Sequence, residues 1–114
     1  MNHHESKLQA TCVRWFRYNF PRMILHSIPN GGKRTITTAR VMKLEGQLPG
    51  VPDLFLAHPC GTWHGMYIEM KYGKNTTSEA QELLIARLMD VGYQVVICRT
   101  FDDFRMAIEK YLTP

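Results

Sequence analysis

Apolar positions recur at helical spacing in some stretches of the chain and alternate in others, and the two periods mark out its elements. Leu8, Cys12, Trp15 and Phe16 fall on one helical face, which predicts a helix over residues 5–19 that Pro21 ends. Residues 23–28 are a short apolar run, read as a strand or an extended link. The turn signal Pro29-Asn30-Gly31-Gly32-Lys33-Arg34 follows, then a short helix over 38–45 ending at Gly46, then the rigid loop Pro49-Gly50-Val51-Pro52. Residues 53–58 and 63–71 read as strands joined by the hairpin-type turn Pro59-Cys60-Gly61-Thr62. Ser78 opens a helix to about residue 91, with Leu84, Leu88 and Val91 on its inner face and Gly92 as the stop. Residues 94–98 are a β-branched strand, and Thr100 and Asp103, spaced as a capping box, open a last helix to about residue 112.

That order predicts an α/β domain: a small mixed β-sheet flanked by helices on both faces. The passage from 63–71 through the Ser78 helix to 94–98 has the form of a right-handed βαβ unit. No internal repeat divides the chain, and its 114 residues suit a single domain over 1–114.

Composition narrows the setting. No run of apolar residues approaches the ~18 needed for a membrane span. The first residues lack a basic segment followed by an apolar one, so no secretion signal is expected. Cys12, Cys60 and Cys98 are odd in number and widely spaced, which points to reduced thiols in a cytoplasmic protein. A net charge of +4 permits a polyanionic partner without requiring one.

The candidate chemistry sits on the two central strands. Side chains alternate along a strand, so Tyr67, Glu69 and Lys71 share one face while Met66, Ile68 and Met70 point into apolar packing. Two charges on one face of an otherwise apolar strand are costly to bury unless something pairs with them. Asp53 starts the preceding strand, so the hairpin can bring its carboxylate near Glu69. Two close carboxylates repel, and Mg²⁺ or Mn²⁺, which take oxygen ligands, relieve that repulsion. Asp53, Glu69 and the Met70 backbone carbonyl are the candidate metal ligands. Lys71 would orient the attacking water and stabilise developing negative charge. The chemistry indicated is metal-assisted hydrolysis of a phosphodiester. The bland alternative is a turn Asp beside an exposed ion pair.

Asn30, Gly31, Gly32, Lys33 and Arg34, with Arg40, Lys43 and Lys74, form a candidate DNA-binding set: glycines let backbone N–H groups approach a phosphate, and the cations supply salt-dependent attraction. The alternative is a solvated loop. Ser78-Glu79-Ala80-Gln81 is also a capping box, which offers Gln81 a structural role as the alternative to one in the site. His58, Cys60 and His64 cluster at the hairpin, but three ligands at this spacing match no standard zinc site.

Pro52-Asp53 with Glu69-Met70-Lys71 resembles the PD-(D/E)XK nuclease superfamily. The fuller pattern is similar to its VRR-NUC branch, in particular the small stand-alone versions of phages and prophages. The matching pieces are Glu5 with Leu8-Gln9, Ile28 to Arg34, Gly50-Val51-Pro52-Asp53-Leu54, Ile68-Glu69-Met70-Lys71, Ser78 with Gln81, and Gly92-Tyr93. The resemblance implies a restriction-endonuclease-like core and Mg²⁺- or Mn²⁺-dependent cleavage of DNA. It implies Asp53 and Glu69 as metal ligands, Lys71 as the catalytic lysine, Glu5 as the first-helix acid that completes the site, and Gln81 beside it. It also implies a homodimer acting on branched DNA such as four-way (Holliday) junctions. A restriction-type, flap or general nuclease, and a non-catalytic DNA-binding module on the same fold, are the alternatives.

Overall fold

The computed structural model describes residues 2–29 and 35–114. Asn30, Gly31, Gly32, Lys33 and Arg34, five of the DNA-binding candidates, lie outside the described residues. The elements run α1 (His3–Asn19), β1 (Leu25–Ser27), α2 (Ile36–Leu44), β2 (Leu54–Leu56), β3 (Gly65–Met70), α3 (Glu79–Asp90), β4 (Tyr93–Cys98) and α4 (Phe101–Leu112).

Side-chain caps set the helix starts. The Asn2 side chain accepts the Glu5 N–H at 2.9 Å, so α1 begins earlier than the apolar spacing predicts. Thr35 caps α2 in the same way, accepting from Thr38 at 3.1 Å. Thr100 accepts the Asp103 N–H at 3.0 Å, but the Asp103 carboxylate turns to the Arg99 N–H at 2.9 Å, so the box at α4 is not reciprocal. Val91, expected on the inner face of α3, is exposed instead. It is the C-cap, at φ −95° and ψ 11°, and that departure from helical backbone takes its side chain off the stripe of Leu84 and Leu88.

The sheet is four-stranded in the order β1-β2-β3-β4. β1, β2 and β3 are antiparallel neighbours, and β3 and β4 are parallel with α3 between them in the chain. The mixed sheet is therefore the expected one. One face carries Leu54, Leu56, Met66, Ile68, Met70 and Cys98 into a core closed by Cys12 and Phe16 of α1 and Phe104, Ile108 and Tyr111 of α4. Burying each large apolar side chain here contributes about 1.5–3 kcal/mol. Burial pushes the thiols of Cys12 and Cys98 up to about 11 and about 12, with Asp103 adding to the rise at Cys98, so both remain protonated packing groups. α3 lies against β4 on the opposite face, where it has no buried residue. The outer face thus stays partly open, and Glu69 faces into it.

Candidate active site

Strand register places the two acids together. Leu54 pairs with Ile68 in the antiparallel β2–β3 ladder, so the residue before Leu54 meets the residue after Ile68. Asp53 is held at both ends: its carbonyl accepts the Ile28 N–H at 2.8 Å, and its Oδ2 accepts the Met70 N–H at 2.8 Å. Glu69 is only 4% exposed, the one buried charged residue among those described. Lys71 extends the β3–β4 pairing by donating its N–H to the Cys98 carbonyl at 3.0 Å, and its Nζ stands 3.3 Å from Glu69 Oε2.

Gln81 arrives from the first turn of α3 and closes this group. Its Nε2 donates to Glu69 Oε2 at 3.0 Å, and its Oε1 accepts from Lys71 Nζ at 3.0 Å. The same Oε1 accepts the Ser78 N–H at 2.9 Å, completing a capping box with the Ser78 side chain. One amide thus caps α3 and also bonds Glu69 and Lys71.

Gly50 explains how α3 comes so close. Its φ is +87°, a backbone conformation that disfavours L side chains, and a Cβ there would meet the Ala80 carbonyl group at 2.9 Å and the Gln81 nitrogen at 3.1 Å. The loop that delivers buried Pro52 and then Asp53 therefore rests directly on the peptide that delivers Gln81. Sequence reading marks this loop as rigid but gives no sign of what it packs on.

Burial dominates the electrostatics. The Glu69 carboxyl is pushed up to about 7 by burial and by Asp53, against the opposing pull of Lys71 and Gln81. Asp53 is also raised, first by burial and then by the Glu5 charge; the Met70 N–H, a hydrogen bond with Glu69 and the charge of Lys71 oppose the rise. Ionising both acids at once is thus unfavourable, an imbalance that one lysine does not remove.

That imbalance fits a hard divalent cation. Two carboxylates and the Met70 carbonyl are all oxygen donors, the type Mg²⁺ and Mn²⁺ take. Among the described residues no three His, Cys, Asp or Glu side chains form a ready metal cage, so the main-chain oxygen and solvent would have to complete the shell. The same holds at His58, Cys60 and His64: the Tyr111 hydroxyl donates to the His58 carbonyl at 2.7 Å, and the His64 ring lies edge-on to Tyr93.

Glu5 comes to the rim from α1, where its Oε1 accepts from Asn75 Nδ2 at 3.0 Å. Arg40 and Lys43 are exposed on α2, and Lys74 is exposed in the turn after β3; none of the three is in an ion pair among the described residues. The structure therefore gathers Asp53, Glu69, Lys71 and Gln81, sets Glu5 against Asn75, and leaves the described basic candidates free on the surface. Asn75 and Arg99, which sequence reading missed, also belong to the neighbourhood: Arg99 Nη1 donates to the carbonyls of Gly73 and Asn75. Only long-range contacts reveal them.

A family model described as the VRR-NUC domain matches residues 1–102. Among solved structures, one titled "VRR_NUC domain protein" is similar at 24% sequence identity and a TM-score of 0.80, over 98% of this chain and 90% of that one. At that identity the likeness shows the fold. No curated protein matches the chain. Among the described residues no helix is long and apolar enough to cross a membrane.

Proposed function

This chain belongs to the VRR-NUC family, a nuclease-related family, and from that premise we propose that it is a Mg²⁺- or Mn²⁺-dependent, structure-selective endodeoxyribonuclease acting on branched DNA, four-way junctions in particular. The observation that carries this reading is the convergence, at one end of β2 and β3, of Asp53, held by the Met70 N–H, with Glu69 and Lys71, which Gln81 bridges.

Asp53, Glu69 and the Met70 carbonyl would hold the cation, which when bound supplies charge to a phosphate oxygen and makes a nearby water more acidic. Every other part is done by side chains of the chain itself. Asp53 is fixed by the Met70 N–H, so its carboxylate is presented without a search through rotamers. Lys71 offers its remaining N–H donors beside Glu69, where they orient the attacking water and stabilise negative charge on the phosphate. Gln81 keeps Glu69 and Lys71 in register by bonding both.

Homodimerisation completes the proposal. One such site cuts one strand, and a two-fold pair of sites matches the symmetry of a four-way junction. The basic excess of +4 supports a polyanionic substrate.

The test is a panel of labelled four-way junctions, flaps, splayed arms and linear duplexes, each incubated with Mg²⁺, Mn²⁺ or a chelator. Paired incisions in the junction, dependent on the ion, are expected. A repeatable cut in linear duplex at a fixed sequence favours a restriction-type enzyme. No cleavage of any form with either ion leaves a non-catalytic DNA-binding module.

A further inference from the structure

We propose that the outward face of α2 is where two copies of this chain meet, as an antiparallel helix pair about a two-fold axis. The inference rests on the homodimer proposed above and names the surface that joins it.

α2 is built the wrong way round for a helix that serves one chain alone. It has no buried residue, and only Ala39 and Met42 are half-buried. Its other apolar side chains point out: Ile36 is 73% exposed, Val41 48% and Leu44 88%, with Leu48 just beyond the helix at 55%. Residues four apart lie one above the other on a helix. The exposed face therefore consists of two adjacent rows, Ile36-Arg40-Leu44 and Thr37-Val41-Glu45. A surface helix ordinarily turns its apolar stripe to the core. A contiguous apolar stripe left in water marks a contact surface.

The charges on that face select a second copy as its occupant. Arg40 and Glu45 flank Val41 and Leu44, and neither is in an ion pair among the described residues. In an antiparallel pair centred between residues 42 and 43, Arg40 meets the partner's Glu45 and Val41 meets the partner's Leu44. The two-fold axis repeats both contacts. A parallel pair would instead set Arg40 against itself. The antiparallel register also carries Ile36 toward the partner's groove, a cavity of about 300 Å³ lined by Ile28, Met42, Glu45, Leu48 and Val51. DNA suits the face less well. Phosphates are met by cations and N–H groups, so Glu45 would repel them and Ile36, Val41 and Leu44 would find nothing apolar to cover them. Arg40, a DNA-binding candidate by sequence, is thereby assigned to the partner chain.

The experiment is sedimentation equilibrium of the full chain without DNA or metal, over a range of protein concentrations, for wild type, Leu44→Glu, Arg40→Glu, Glu45→Arg and the double variant that carries both charge reversals. Circular dichroism is the fold check, and since all three positions are exposed every variant is expected to fold. Leu44→Glu is expected to raise the dimer dissociation constant at least tenfold. Each single charge reversal is expected to raise it about tenfold by setting like charges together. The double variant exchanges the two charges and is expected to return to within about threefold of wild type. A dimer that Leu44→Glu leaves intact, or a double variant weaker than either single one, overturns this inference and leaves the homodimer to another surface. Arg40→Glu that loses junction binding in a gel shift while its mass is unchanged overturns it in favour of a DNA contact. A wild-type chain that stays monomeric overturns it together with the homodimer, and ion-dependent cleavage by that monomer would leave the nuclease chemistry standing.

Discussion

Gln81 Nε2 donates to the buried Glu69 carboxylate at 3.0 Å, so the first turn of α3 is bonded straight to the strand that carries the acid. The same amide caps α3 through Ser78. The two roles separate by mutation. Ser78→Ala breaks the cap without touching Glu69 or Lys71, and costs about 1 kcal/mol of stability with cleavage near wild type. Gln81→Ala costs a similar amount and in addition lowers cleavage about 10- to 100-fold, as loss of a carboxylate's orienting partner does. Thermal unfolding and single-turnover cleavage of a junction measure both; equal cleavage losses in the two variants would mean that Gln81 is only a cap.

Asp53→Asn keeps an oxygen that can accept the Met70 N–H, so the fold is expected to survive while the cation loses a charged ligand. Lys71→Ala removes the donor beside Glu69. Each is expected to lower cleavage by about 100-fold or more, with junction binding retained. Gel shift without metal and cleavage with Mg²⁺ separate the two effects. Wild-type cutting by either variant refutes the assignment.

The raised Glu69 carboxyl gives a stability signature. Its ordinary value is about 4.5 and in the fold it is pushed to about 7. Between these values the folded state binds more protons than the unfolded one, so without a divalent cation this group's contribution falls as pH rises through the window. It is fully favourable below about 4.5 and lost above about 7. Melting in chelator from pH 5 to 8 is expected to show wild type losing stability relative to Glu69→Gln, which carries no titrating group there. Adding Mn²⁺ should flatten the wild-type decline. A pH-independent difference between the two proteins sinks the idea.

Local chemistry made much of this fold legible. Period-two alternation put Met66, Ile68 and Met70 in the core and Glu69 and Lys71 on the other face, as found, because the strand pleat leaves no choice. Ser78 and Thr100 announced their helices because capping is a contact between residues three apart. Pattern reading placed the α1 start late because Asn2, a polar cap outside the apolar stripe, sets it. Of the site, the acids and the lysine were readable as strand neighbours. Asn75, Arg99 and the seat of Gly50 on α3 were not, since each depends on chain segments that meet only after the sheet and helices have assembled.

Gly50 supplies a sharp test of that assembly, with Gly46 as its internal control. Both have positive φ, +87° and +111°, but only Gly50 lacks room for a Cβ. Gly46→Ala carries the backbone penalty alone, about 1–2 kcal/mol, with cleavage by the folded protein unchanged. Gly50→Ala adds a clash with the Ala80–Gln81 peptide, a rigid neighbour, for a total of about 2–5 kcal/mol. Since that loop delivers Asp53 and that peptide delivers Gln81, relief of the clash pushes apart the two sides of the site. Cleavage per folded molecule is therefore expected to drop in Gly50→Ala and not in Gly46→Ala. Chemical denaturation gives the stabilities, and single-turnover rates under conditions where each variant is folded give the activity. Equal rates for the two variants would show that the contact between the loop and α3 does not set the geometry of the acids.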